Sequence, residues 1–194
     1  MRSVVFILIA LFSFNVTAQE TEKLPYYQIP EYPESYTAGA VAARLVDGLG
    51  FRYYWATEAL RDEDLAFKPN EDARTTAETI DHIYGLSNVI VNSTLKQPND
   101  RTKERPELTY TEKRKQTLIN LKTAADILRT SKDISQFMII FKSDKGTSEF
   151  PFWNNINGPI ADAIWHCGQV VLLRRSSGNP FNSKASLFRG KLRD

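Results

Sequence analysis

The chain has 194 residues, 25 Lys and Arg against 23 Asp and Glu, and a formal charge of +2. That near balance excludes a general attraction to nucleic acid or anionic lipid. A single cysteine, Cys167, excludes an intramolecular disulfide framework, so the fold must hold by packing, with a metal as the one further aid.

Met1-Arg2 is a short positive start, Val4 to Phe14 is nearly all apolar, and Val16-Thr17-Ala18 ends in the small-residue pattern of a cleavage site. This predicts a secretory signal peptide over 1–18, too short in its apolar part to span a bilayer, with an uncleaved anchor as the alternative. The expected destination is the periplasm or the exterior, with no membrane association after cleavage. About 176 residues then remain, enough for one domain with a real core.

Residues 19–36 carry three prolines and four tyrosines without periodicity and read as an irregular leader, its tyrosines docking on the domain. Four helical segments follow over 37–180. The first runs from about Thr37 to Leu60, with Val41, Leu45, Leu49, Tyr53, Ala56 and Leu60 as its stripe. Arg61-Asp62-Glu63-Asp64 and Lys68-Pro69-Asn70 break it. The second opens on a capping-box pattern, Thr75-Thr76-Ala77-Glu78, and continues to Leu95 through Ile80, Ile83, Leu86, Val89 and Ile90. The third opens on another, Thr109-Tyr110-Thr111-Glu112, and carries Leu118, Leu121, Ala125 and Leu128 to Thr130.

A long link over 131–158 holds Phe137 to Phe141 and Ser148 to Phe152 around Ser143-Asp144-Lys145-Gly146, a short hairpin or an apolar-anchored loop. The fourth helix begins at Pro159, a favoured first-turn residue, and stops near Ser177-Gly178-Asn179-Pro180. Residues 181–194 read as a solvated basic tail. The expected fold is all-α, a four-helix bundle with one long crossover between helices three and four.

Asp162 and His166 lie four residues apart on the fourth helix, so both point the same way. With His166 at zero on a helical wheel, Asp162, Ala163, Gln169, Val170 and Leu173 fall within about 60° of it. Only Gly168 and Arg175 lie opposite, which predicts a helix buried on most sides with its carboxylate and imidazole facing inward. The other histidine, His82, sits at the edge of the second helix's stripe. Two imidazoles and a carboxylate meeting across a core would make three protein ligands with room for water, the open arrangement of catalytic metal sites.

Other readings of the same residues stay open. Asp162 is a first-turn acid that suits the helix dipole, His82 alone could be a hydrogen-bonded core histidine, and His166 could form an ordinary ion pair with Asp162. Cys167 points about 100° away from His166 and reads as a small core filler. No triad spacing and no glycine-rich phosphate loop is present.

The helix around Thr75-x-x-Glu78-x-x-x-His82-Ile83, and the stretch Asn157-Gly158-Pro159-Ile160-Ala161-Asp162-Ala163-Ile164-Trp165-His166-Cys167-Gly168-Gln169 followed by Arg174-Arg175-Ser176-Ser177-Gly178-Asn179-Pro180, resemble the DinB/YfiT-like superfamily, particularly its exported members. The resemblance covers about residues 37–180. It implies an up-down-down-up bundle holding a divalent metal, zinc or nickel among others, through one histidine of helix two and an H-x-x-x-H pair of helix four. Carried over by position, the ligands are His82, Asp162 and His166. Asp162 departs from the pattern by standing where a histidine is usual. Carboxylate is a competent zinc ligand, and a two-histidine, one-carboxylate set also suits iron or manganese; alternatively the metal is lost and the bundle survives as a scaffold.

What the resemblance implies is an exported metal-dependent hydrolase or transferase acting on an unidentified small molecule; Gln169, on the same helix face as the ligands, could support one of them by a hydrogen bond. Cytosolic thiol cofactors suit an exported protein poorly, which favours hydrolysis. The competing expectation is a non-catalytic interaction module. A homodimer through a bundle face is compatible with either.

Overall fold

The computed structural model describes residues 23–194; the signal-peptide expectation falls on residues outside that range. The described chain is mostly helical, with two small sheets in place of a purely α architecture. None of its helices is long and apolar enough to cross a membrane.

Helix α1 spans Ala38–Ala56, started by Thr37, whose side chain accepts from the Ala40 amide. It ends four residues earlier than the stripe suggested, and Ala59, with a positive φ of 53°, lies outside right-handed helical geometry. The buried set is also different. Ala42, Ala43, Val46, Leu49 and Tyr53 face the core, whereas Val41 and Leu45 are exposed. The small residues matter, since a Cβ on Gly39 would lie 2.3 Å from the Leu128 carbonyl oxygen, so backbone meets backbone there.

The expected break at 61–64 is a one-turn helix, α2, Asp62–Ala66. Helix α3 spans Thr76–Thr94 and α4 spans Tyr110–Thr130, and both expected capping boxes form: Thr75 with Glu78 and Thr109 with Glu112. Leu118, Leu121, Ala125 and Leu128 of α4 are completely buried. Helix α1 packs on α4 and on the last long helix, α6 (Ala161–Ser176), and α3 packs on the same two.

The link after α4 contains the hairpin. Strand β2 (Ile139–Ser143) pairs antiparallel with β3 (Gly146–Phe150), turning at Gly146 with φ 121°, and the two-residue β1 (Asn99–Asp100) adds in parallel to β2. The chain is already helical from Trp153, not from Pro159. A short α5 (Trp153–Asn155) runs through a π-helical turn, Ile156–Ile160, into α6, and Gly158 departs from helical geometry. Proline has no amide hydrogen to donate, so a wide turn accommodates Pro159 inside the helix at little cost in hydrogen bonding.

The leader and tail are packed against the helices. Tyr26 is buried and donates to Asp47, which also accepts from Arg129; Trp55 donates to the Tyr27 carbonyl; Tyr32 and Tyr36 stay exposed. Residues of the tail form a second hairpin, β4 (Ala185–Ser186) with β5 (Lys191–Leu192), whose Ala185 and Leu192 join Phe51 and Trp55 in a small separate cluster.

Candidate metal centre

The buried stripe of α3 runs through Thr79, Ile80, Ile83, Ser87 and Ile90, which leaves His82 on the rim of that face. On α6 the buried positions are Ala163, Cys167, Val170, Leu173 and Arg174, a stripe at three- and four-residue spacing. Asp162 and His166 each precede one of these by a residue and so take the rim as well. The expectation of a helix buried on most sides is not met: Trp165 is 73% and Leu172 63% exposed, and Gln169 is exposed too. Among the described residues, helix α6 packs mainly on α1, α3 and the chain just before it, which leaves Trp165, Gln169 and Leu172 exposed on its outer side.

The three expected ligands meet at this rim. Nε2 of His82 is 3.1 Å from Oδ2 of Asp162, and Nε2 of His166 is 3.2 Å from Oδ1 of the same carboxylate. The two imidazole rings stand edge to face with centroids 4.6 Å apart. One donor atom from each residue lies within 4.8 Å of the others, so the group could hold a metal ion. Their side chains are partly open, 35% for His82, 39% for Asp162 and 13% for His166. A centre here would face solvent on one side, not sit sealed in the core.

The donor chemistry fits a cation. Gln169 Oε1 lies 2.7 Å from His166 Nδ1. In the tautomer with its proton on Nδ1, the ring donates to that amide oxygen, which can only accept. In a neutral ring the Nε2 lone pair then points at an Asp162 carboxylate oxygen, two acceptors facing one another. A proton on either group or a cation between them resolves that opposition. The ring is oriented by its other nitrogen, the usual support of a ligating histidine.

A cleft of about 410 Å3 is lined by Pro69, Ala73, Arg74, Thr79, His166, Gln169, Leu172 and Leu173, so His166 alone of the three candidate ligands borders it. Thr79 is one turn before His82 on α3, a spacing that could have pointed to it. Pro69, Ala73 and Arg74 come from the irregular link before α3, whose sequence carries no period to place them.

Cys167 takes no part in the ligand group. It is buried, and desolvation pushes its thiol up to about 12, as expected of a core filler. The trailing Arg174 to Asn179 stretch has a structural job. Arg174 is buried and donates to the Trp55 and Ala56 carbonyls at the end of α1 and to the Asn179 carbonyl, while Asn179 and Ser177 donate to the buried carboxylate of Asp64.

No family model, curated protein or solved structure matches this chain.

Proposed function

We propose that the chain is an exported DinB/YfiT-like four-helix bundle of α1, α3, α4 and α6 that binds a divalent metal through His82, Asp162 and His166 and uses it in hydrolysis or group transfer on a small molecule. The observation that carries this reading is the convergence of three donor atoms from residues 82, 162 and 166, with one ring held by Gln169. The closed ring of contacts, α1 with α4 and α6 and α3 with the same two, supports the bundle.

A bound divalent cation would supply Lewis acidity. Zinc or nickel fits two imidazoles and a carboxylate, and iron or manganese also suits that set. The protein's own contribution is orientation: Gln169 fixes the His166 ring, the π-helical turn sets the phase of α6, and the cleft lined by Leu172, Leu173 and Pro69 offers a substrate an apolar wall. Arg74 is the one cation in that lining and favours a substrate carrying a negative group.

One observation favours a second reading, a scaffold that has lost its metal. Asp162 is already within hydrogen-bonding distance of both imidazoles, so a proton at each contact would satisfy the group. Metal analysis separates the two. The chain from Gln19 onward, purified without a histidine tag, should carry or take up close to one equivalent of zinc or nickel, and H82A, D162A and H166A should each lose it while keeping helical circular dichroism. Wild-type protein that stays empty in zinc, nickel, iron and manganese would refute the enzyme reading and leave the scaffold.

A further inference from the structure

The tail hairpin displays a combination that the core does not explain. Phe188 is 99% exposed and its neighbour Leu187 is exposed as well, and both sit at the tip between β4 and β5. The tip is a built turn. The Gly190 amide donates to the Ser186 carbonyl at 2.8 Å, the Arg189 amide donates to the Ser186 hydroxyl, and Gly190 holds φ 69°. The Gly190 carbonyl accepts from the Ile29 amide, which ties the turn to the leader, and a Cβ on Gly190 would lie 2.4 Å from the Ile29 side chain. Ala185 and Leu192 anchor the base on Phe51 and Trp55. The fold thus fixes a phenylalanine in full contact with water.

The charge carried by residues 181–194 is almost all of one sign. Lys184, Arg189, Lys191 and Arg193 are all exposed, and among the described residues their side chains have no ion-pair or hydrogen-bond partner. Asp194 is the sole acid in residues 181–194. The chain's near-neutral total therefore hides four exposed cations on the same hairpin as two exposed apolar side chains.

We propose that this hairpin docks the protein on an anionic lipid surface, with Leu187 and Phe188 entering the headgroup boundary while Lys184, Arg189, Lys191 and Arg193 attract the lipid phosphates. Charge complementarity selects the occupant, since each Lys or Arg held near an anionic bilayer adds favourably and independently of the others. The apolar tip selects lipid over nucleic acid. Single strands are gripped by aromatic platforms that stack successive bases, whereas here one ring stands beside an aliphatic leucine, which cannot stack. An apolar point inside a basic collar matches the boundary between headgroup and acyl chain. This goes beyond the metal centre and holds whether or not a metal binds.

The test is sedimentation of the chain from Gln19 onward, which keeps every described residue, with sucrose-loaded vesicles. Vesicles of phosphatidylcholine alone are compared with an equal mixture of phosphatidylcholine and phosphatidylglycerol. Binding is expected to the mixture only and to weaken as salt rises. R189Q/K191Q should lower the partition coefficient by more than about tenfold, from about fivefold per charge. F188S should weaken it by a further several-fold while leaving thermal unfolding unchanged, because the side chain touches nothing. A tryptophan placed by F188W should be quenched by brominated acyl chains. Equal binding to neutral vesicles, no binding to the mixture, or full binding by F188S would each overturn the proposal. So would tighter binding to single-stranded RNA than to the mixed vesicles.

Discussion

Replacing Asp64 tests whether the link between α2 and the end of α6 is as tightly made as its hydrogen bonds imply. The carboxylate is completely buried and accepts from the Arg61 amide, Nε and Nη2 at 2.9, 3.0 and 2.8 Å, from the Ser177 hydroxyl at 2.6 Å and from Asn179 Nδ2 at 2.6 Å. In D64A the half-buried Ser177 hydroxyl and Asn179 Nδ2 keep the Arg174 and Ala59 carbonyls as partners, and Arg61 turns to water and Glu63. Arg61 is half exposed, so D64A leaves no buried charge, and the loss of charge-assisted hydrogen bonds whose donors keep other contacts is expected to cost about 2–3 kcal/mol. D64N keeps the shape and loses the charge, and about 2 kcal/mol is expected. Urea unfolding at fixed pH reads both.

The pH dependence supplies a second check on the same variant. Arg61, first, and then Ser177 and Asn179 hold the Asp64 carboxyl well below the usual carboxylate range. A folded pKa below the unfolded value contributes stability that is present above about pH 4 and is lost as pH falls toward the folded pKa. The difference between wild type and D64A should therefore be largest near neutrality and shrink in acid. A difference under about 1 kcal/mol at neutral pH, or one that does not shrink by about pH 3, would refute the reasoning.

Zinc at about one hundred times its dissociation constant should stabilise the wild type by about 2.7 kcal/mol, a rise in melting temperature of about 5–11 °C by calorimetry, and H166A should show none. Q169A should keep the fold and lower zinc affinity by about 10–100-fold in a chelator competition titration, because it frees the ring without removing a ligand. Cys167 should resist iodoacetamide at mildly alkaline pH until denaturant is added, since burial both shields the thiol and raises its pKa; rapid labelling of folded protein, followed by mass spectrometry, would contradict this. G39A should destabilise by about 1–3 kcal/mol in denaturant unfolding, because the new Cβ meets the Leu128 and Ser131 carbonyl oxygens at 2.3 and 2.5 Å.

The parts of this molecule that were legible in the sequence are those decided within a few residues. Thr75 with Glu78 and Thr109 with Glu112 satisfy helix ends locally, so two helix starts are readable to the residue. Asp162 and His166 share a face through the helical repeat alone. What was not legible depends on contacts distant along the chain. Val41 and Leu45 have the spacing of a core stripe, yet the close approach at Gly39 turns α1 so that Ala42, Ala43 and Val46 face α4. Side-chain size misled there, because a tight helix crossing selects small residues and leaves larger ones outside. The same cause misplaced the metal group in depth: Ala163, Cys167 and Val170 take the buried side of α6, so Asp162 and His166 sit one residue over, at the rim. That shift changes what the site can do. A fully enclosed carboxylate between two histidines would have only its own hydrogen bonds to satisfy it, whereas Asp162 at the rim is partly open to solvent.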